Sequence, residues 1–235
     1  VREIEKFKVY LRDERSFSAA TLKLYSYGLR HFIWFLWNQK LDLTPRSVDP
    51  GLYKEFLVYC RDERKLSPTT LSTNYTGLKE FFKFLLETRY LEISPFTLLR
   101  PPKFRRGLPR PIGINEIQRI IAAIDLESPQ ERRDLVILEL LFGSGLRISE
   151  ALSLRYGDVV LEGGPIGPEL SVLGKGRKVR KVPLSVESVR LLQSWMDSSV
   201  TDPAAHLFPS SKGNCPAFRP ASFERRFKIY LKRAD

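Results

Sequence analysis

The sequence predicts a mainly α-helical protein with a small antiparallel β-sheet, arranged as two domains joined by a basic linker. A repeat marks the first domain, because VYLRDERSFSAATL at residues 9–22 is echoed by VYCRDERKLSPTTL at residues 58–71. A proline-rich segment without acidic residues then interrupts the helical pattern, and a change to short β-branched runs follows it. We therefore expect a helical domain over residues 1–93, a linker over 94–113 and a second domain over 114–235.

The chain of 235 residues is strongly basic and carries a formal net charge of +12. A positive excess of this size favours a polyanionic partner, with nucleic acid ahead of an acidic membrane surface. The hydrophobic content of 43% is enough for real cores, and the longest apolar runs are too short to span a membrane. The charged N-terminal residues are unlike a secretory signal, and Cys60 and Cys215 lack the spacing of a zinc site. We therefore expect a globular protein of the reducing cytoplasm, without a metal or a membrane segment.

Each unit of the repeat predicts a helical hairpin. A first helix ends near the RDER tetrapeptide, and a serine, Ser18 or Ser67, then caps a long helix with apolar residues at helical spacing. Two such hairpins make a four-helix domain, because neither hairpin alone can bury its apolar face. Trp34 and Trp37 in the first long helix are expected in its core rather than stacked on bases.

In the second domain, apolar residues at helical spacing predict helices around one β-rich stretch. The predicted helices cover residues 115–124 and 130–145, a short stretch starting at Arg147, and residues 186–198 and 218–235. Segments 158–162, 169–173 and 178–184 predict a three-stranded antiparallel sheet. Val179 and Val182 differ in parity, so we expect a bulge or a shifted register in the last strand.

Arg147, in GSGLRISEALSL at residues 143–154, is the first candidate functional residue. A helical wheel places it within the apolar arc beside Ala151 and Leu154, at a helix N-terminus where a cation is unfavourable. A charge flanked by core positions is costly without a partner, and Glu150, three residues on, is close enough to be one. The spacing alone leaves two interpretations equally open: a structural Arg–Glu pair that reaches solvent, or an anion-binding site.

Lys175 is the second candidate, because it stands between two glycines at the expected tip of a strand pair. The glycines allow such a tip to enter a groove and the lysine to swing. Exposed hairpin tips also carry lysine for solubility, so this motif is weak by itself. It is not a phosphate-cradling P-loop, since that spacing is missing.

The two motifs in this order, behind a helical domain and a basic linker, resemble the tyrosine recombinases, most closely the Xer-type site-specific recombinases. The resemblance covers essentially the whole chain. It implies a SAM-like, four-helix core-binding domain and an α+β catalytic domain that form a C-shaped clamp around DNA. It also implies strand cleavage and exchange through a 3′-phosphotyrosyl intermediate, without a metal or other cofactor.

By the same resemblance, Arg147 binds the scissile phosphate, Glu150 supports Arg147, and Lys175 protonates the 5′ leaving oxygen. DNA contacts are implied only by class. The candidate basic residues are Lys23, Arg30 and Lys79 in the long helices, and Arg105, Arg106, Arg177 and Lys178 in the linker and hairpin.

The sequence departs from the family pattern in its second catalytic cluster. The expected HxLRH-like helix, further His or Trp and nucleophilic tyrosine do not follow the last predicted helix. Neither His31 nor His206 is followed by an arginine three residues later, and Tyr230 lacks the context of the nucleophile, so we do not assign it that role. We expect a fragment of a longer chain, which binds DNA without cleaving it.

The partner implied is double-stranded DNA with an inverted-repeat site, bound on the nucleoid by four identical or different protomers on two duplexes. Resolution of chromosome or plasmid dimers is favoured over phage integration, because the compact N-terminal domain lacks an extra arm-binding module. Activation by a septal DNA translocase is left open. Two alternatives are a non-catalytic DNA-binding relative of the recombinases and a basic scaffold on RNA or membrane.

Overall fold

The computed structural model describes residues 2–41, 44–101, 111–165, 167–174, 176, 178–196, 200, 202–210 and 217–235. The chain divides into two compact units, Val1–Leu108 and Pro109–Asp235. No helix in the described part of the chain is long and apolar enough to cross a membrane.

The first unit is helical, as the sequence predicts. Its helices are α1 (Arg2–Val9), which continues as a π-helical segment (Tyr10–Glu14), α2 (Ala19–Asn38), α3 (Pro50–Asp62) and α4 (Pro68–Glu87). The two predicted serine caps are confirmed. Ser18 Oγ accepts from the backbone N–H of Thr21 at 3.3 Å, and Ser67 Oγ accepts from that of Thr70 at 3.2 Å.

The repeat extends to the backbone conformation of the two hairpins. α2 and α4 begin and end at equivalent positions of the repeat. The non-glycine residues with positive φ in the described chain also form two equivalent pairs, Ser16 with Lys65 and Lys40 with Arg89, at φ 51°, 48°, 55° and 56°. Each hairpin therefore uses the same left-handed residue before its long helix and the same one after it.

Two glycines allow α2 and α4 to cross closely. A Cβ at Gly28 would lie 3.0 Å from Cα of Asn74, and a Cβ at Gly77 would lie 3.0 Å from the carbonyl oxygen of Tyr25. Tyr25 and Asn74 are themselves equivalent in the repeat, so the crossing is pseudo-symmetric. Glycine inside a helix costs about 1 kcal/mol relative to alanine, and this close backbone approach is the physical reason for both.

Aromatic rings fill the core of the first unit, with Phe56 in contact with Phe32 and Phe35 at its centre. The prediction that Trp34 and Trp37 belong to this core is wrong, because neither is among its buried residues and the two are 41% and 73% exposed. Around the helix, each tryptophan lies about 100° or more from the nearer of Phe32 and Phe35, away from the stripe that those two residues form.

The predicted linker contributes residues to both cores at its ends. Phe96, in a short 3-10 turn (Pro95–Thr97), is buried in the first core, and Ile112 packs against the second. The middle of the linker, residues 102–110, lies outside the described residues.

The second unit combines helices with a small sheet, as predicted. Its elements are α5 (Ile114–Ala122), α6 (Pro129–Phe142), α7 (Ile148–Ser153), β1 (Val159–Val160), β2 (Glu169–Leu173), β3 (Val179–Pro183), α8 (Val186–Trp195) and α9 (Pro220–Ala234). The sheet is antiparallel in the order β1-β2-β3. In α6, Ile137 and Leu140 are fully buried in the hydrophobic core of this unit.

The expected bulge in the last strand is absent from the described pairing. The β2–β3 register runs without interruption from Glu169 opposite Pro183 to Leu173 opposite Val179. Val182 lies opposite buried Leu170, whereas Val179 is 65% exposed on the other face. The parity difference therefore reflects one solvent-facing valine rather than an extra residue.

Candidate functional site

Arg147 is the residue that precedes α7. The chain leaves α6 through Gly145, which has a positive φ of 62°, and Arg147 then adopts extended backbone as the N-cap. Its side chain is 71% exposed, so the prediction that it lies within the apolar arc is wrong. The physical reason is that an N-cap has non-helical dihedral angles, and a helical wheel does not describe its direction.

Glu150 is the buried centre of the site, with a side chain that is only 6% exposed. Its carboxylate accepts from the backbone N–H of Arg147 and from Arg147 Nη1, both at 2.9 Å. It also accepts from Arg180 Nη1 at 3.0 Å and from Arg180 Nη2 at 2.9 Å. A buried carboxylate thus joins the start of α7 to strand β3.

The charge of Glu150 is maintained by its two arginines. The Arg180 guanidinium, followed by the backbone N–H and guanidinium of Arg147, lowers the pKa of Glu150 from 4.5 to about 2, against the opposing effect of burial. Glu150 is therefore ionised at neutral pH. Two guanidinium groups against one carboxylate leave the cluster with a net positive charge, as an anion site requires.

The exposed guanidinium of Arg147 retains donors for a ligand. Its bond to Glu150 uses Nη1, which leaves Nε and Nη2 outside that bond. A guanidinium presents its N–H groups as a planar fork that matches two oxygens of a phosphate. The structural Arg–Glu pair and the anion site are therefore compatible, because the pair orients the group that an anion would meet.

Arg180 is a further residue of this cluster, and the pattern of strand β3 carries a sign of its role. It lies opposite Val172 in the β2–β3 register, and Val172 is 1% exposed. An arginine in parity with Val182, on the inner face of a two-faced strand, needs a partner there. The sequence does not identify that partner, which lies 30 residues away in α7.

Lys175 and Arg177 lie outside the described residues, but the residue before Lys175 is placed at the site. Gly174 donates its N–H to the carbonyl of Lys178 at 2.8 Å, and a Cβ there would lie 3.1 Å from Arg180 Nη1. The structure thus places Gly174, the residue before Lys175, at the Glu150 cluster.

The other predicted basic residues are exposed or outside the described residues. Lys23, Arg30 and Lys79 are exposed on α2 and α4, and Arg30 and Lys79 occupy equivalent positions of the repeat. Arg30 lies over the ring of Tyr27 at 4.3 Å. Lys178 is exposed beside β3. Arg105 and Arg106 lie outside the described residues.

Tyr230 is part of a buried polar cluster. Its hydroxyl donates to Asp134 at 2.7 Å and accepts from Arg226 Nη2 at 2.9 Å, and its side chain is 1% exposed. Burial, followed by the bond to Asp134, raises the pKa of this phenol. These contacts describe a structural tyrosine, in agreement with leaving it unassigned as a nucleophile. Among the described residues, no group of three or more His, Cys, Asp or Glu side chains is placed to hold a metal.

Two family profiles match the chain. Residues 112–235 match the Phage integrase family, and residues 4–89 match its N-terminal SAM-like domain. The tyrosine recombinase XerC of Pelobacter propionicus is 32% identical over 216 residues, which cover 91% of this chain and 70% of that protein. XerC of Proteus mirabilis is 35% identical over 142 residues, covering 60% of this chain. The chain spans less than half the length of several such relatives, with 44% of the Proteus mirabilis protein covered.

Solved structures show the same fold. The Tn1549 transposon integrase in complex with transposon right end DNA has a TM-score of 0.68 at 19% identity, covering 98% of this chain and 78% of that one. XerH recombinase bound to palindromic difH substrate has a TM-score of 0.67 at 19% identity, covering 98% of this chain and 68% of that one. The resemblance noted in the sequence is confirmed, and the chain belongs to the phage integrase family as a tyrosine recombinase of the Xer type.

Proposed function

We propose that this chain belongs to a site-specific DNA recombinase whose full-length protein cleaves and exchanges strands through a 3′-phosphotyrosyl intermediate. The observation that carries the proposal is the cluster of Arg147, Glu150 and Arg180. A buried, ionised carboxylate there orients a guanidinium that is 71% exposed and free to meet a phosphate. Membership of the tyrosine recombinase family supplies the class of reaction.

Arg147 is proposed to hold the scissile phosphate. A phosphodiester carries one negative charge, and attack by a tyrosine hydroxyl places further charge on its non-bridging oxygens. A guanidinium aimed at those oxygens binds the transition state more strongly than the ground state, which lowers the barrier. Glu150 contributes by fixing the guanidinium before the substrate arrives.

Lys175 is proposed as the general acid. When the tyrosine oxygen bonds to phosphorus, the bond to the 5′ oxygen breaks, and a proton from the lysine ammonium neutralises the leaving alkoxide. The 5′-hydroxyl of a partner strand then attacks the phosphotyrosine and releases the tyrosine. We assign the nucleophile to no tyrosine among the described residues.

Double-stranded DNA is the proposed partner. The net charge of +12 suits a polyanion, and the structures of XerH and of the Tn1549 integrase are complexes with difH substrate and with transposon right end DNA. The proposed phosphate contacts are Lys23, Arg30, Lys79, Arg105, Arg106, Arg177 and Lys178. The proposed assembly is four protomers on two duplexes with inverted-repeat sites, and the proposed role is resolution of chromosome or plasmid dimers on the nucleoid.

The test is a cleavage assay with the native protein on a nicked suicide duplex, whose inverted-repeat sequence is first selected by binding from a random pool. We expect Arg147→Ala to lower the rate of covalent complex formation by at least about 100-fold while duplex affinity stays nearly unchanged. Lys175→Ala should be similarly slow, but a 5′-bridging phosphorothioate should rescue it alone, because a thiolate leaves without a proton.

Arg190→Ala is the matched control, because Arg190 is an exposed arginine of α8 whose ion pair in the described part of the chain is with Glu187, three residues earlier, at 2.6 Å. Normal cleavage by Arg147→Ala would refute the phosphate role. Tight duplex binding without cleavage by the unmodified native protein would instead favour the non-catalytic DNA-binding alternative. Loss of duplex preference in a competition with RNA and acidic vesicles would favour the basic scaffold.

A further inference from the structure

Arg180 connects two motifs that are separate in the sequence. It lies on the inner face of β3, opposite buried Val172, and its two terminal nitrogens contact the two oxygens of Glu150. This side-by-side geometry is the strong, bidentate form of an arginine–carboxylate pair. Strand β3, which follows Lys175 in the chain, is thereby joined to the first turn of α7, next to Arg147.

Resting on the function proposed above, we infer that Arg180 is a positioning residue of the cleavage reaction, which acts through Glu150 on Arg147 and through the hairpin on Lys175. It does not need to touch the substrate for this role. Two separate contacts carry the inference.

The first contact concerns the direction of Arg147. Glu150 Oε1 accepts from both arginines, from Arg147 Nη1 at 2.9 Å and from Arg180 Nη1 at 3.0 Å. With Arg180 in place, the buried carboxylate is satisfied by a partner other than Arg147. Without Arg180, Glu150 would have Arg147 as its remaining charged partner among the described residues, and an unmatched buried carboxylate would draw that guanidinium away from solvent and phosphate.

The second contact concerns the start of the Lys175 loop. A Cβ at Gly174 would lie 3.1 Å from Arg180 Nη1 and 3.9 Å from Glu150 Oε1, so Gly174, directly after β2, lies close to the Arg180–Glu150 pair. The hairpin closes immediately afterwards, where Gly174 donates to the carbonyl of Lys178. Removing the guanidinium therefore changes the immediate surroundings of the residue before Lys175.

Lys181 offers a matched control on the same strand. It lies on the opposite face of β3, where its ammonium is 2.7 Å from a different buried carboxylate, Glu169, and donates to Ser171 Oγ at 2.9 Å. Lys181→Ala and Arg180→Ala therefore both remove the cationic partner of a buried glutamate from β3. They differ in whether that glutamate also contacts Arg147.

The experiment measures single-turnover formation of the covalent complex by the native protein on the selected suicide duplex, at saturating protein. We expect Arg180→Ala to lower this rate by about 10- to 100-fold with a change in duplex affinity of less than about 3-fold, because displaced catalytic groups slow chemistry more than binding. Arg180→Lys should recover part of the rate, since a lysine restores the charge without the bidentate fork. Lys181→Ala should stay within about 3-fold of the parent rate.

The 5′-bridging phosphorothioate separates the two routes of action. Rescue of Arg180→Ala to the rate of the parent would assign its effect to Lys175 alone, and partial rescue would assign it to both groups; either result supports a positioning role. An unchanged rate for Arg180→Ala, or an equal loss for Arg180→Ala and Lys181→Ala, would overturn the inference.

Two checks keep this result distinct from other failures. Thermal unfolding identifies any variant that does not fold, and in that case the rate of Arg180→Lys decides: a parental rate would overturn the inference and a reduced rate would support it. Absence of cleavage by the parent protein would overturn the proposed function itself. If the parent protein cleaves and substitution of Arg180 leaves its rate unchanged, only the positioning role would be overturned.

Discussion

Two buried carboxylates of the second unit each hold two arginines, yet they differ in where those arginines lie. Asp134 is fully buried and accepts from Arg133, Arg226 and Tyr230. The arginine side chains in that cluster are 9% and 28% exposed. Around Glu150, by contrast, the side chains of Arg147 and Arg180 are 71% and 41% exposed.

This difference separates a structural cluster from a candidate catalytic one. The contacts of Asp134 join α6 to α9 in the described structure. The guanidinium of Arg226 and the hydroxyl of Tyr230 both point to this buried carboxylate. The contacts of Glu150 leave a positive group facing solvent, where an anion can reach it without disturbing the carboxylate. An arginine–carboxylate pair is therefore informative about function only when the exposure of the arginine is known.

The largest expected effect is the loss of stability when the buried Asp134 is removed. Asp134→Ala leaves Arg133 and Arg226 without their buried partner, so we expect the second unit to lose about 3–5 kcal/mol of stability. Amide hydrogen exchange of α6 and α9 at increasing urea measures this loss. Glu187→Ala, which removes an exposed carboxylate of α8, is the control and should change stability by less than about 0.5 kcal/mol. An Asp134→Ala variant as stable as the parent protein would show that the Asp134 cluster does not stabilise the second unit.

A pH titration of stability tests the cluster around Glu150. Because the folded pKa of Glu150 is lowered to about 2, the carboxylate stabilises the folded state above its ordinary pKa of 4.5, and this contribution is lost as the pH falls from 4.5 towards 2. Glu150→Gln should therefore flatten the fall in unfolding free energy in that range. Carboxyl carbon NMR follows the group directly, and an ordinary Glu150 titration would contradict the geometry around it.

The smallest expected effect is on the stability of an Arg147 variant. Arg147→Ala removes an exposed side chain while Arg180 continues to satisfy Glu150, so we expect unfolding free energy to change by less than about 0.5 kcal/mol. Urea unfolding is the measurement. A loss comparable to that of Asp134→Ala would mean that the two clusters do not differ in kind.

Local sequence predicted the first unit well. The repeat, the serine caps and the long helices depend on residues within a few positions of one another, and the structure reproduces them to the residue at Ser18 and Ser67. The wrong predictions concerned the direction in which side chains point, and not whether a residue lies in a helix. Trp34 and Trp37 are in the predicted helix but outside the buried core, and Arg147 starts the predicted helix but lies outside its helical geometry.

The sequence by itself determined the elements, the family and the candidate roles of Arg147, Glu150 and Lys175, because caps, periodicity and motifs are properties of neighbouring residues. Only the tertiary structure decided that Arg180 shares the carboxylate of Glu150 and that Arg147 remains exposed. That decision depends on the register of β2 against β3 and on how the hairpin lies against α7. Contacts across 30 residues of chain arise from packing, and no local pattern encodes them.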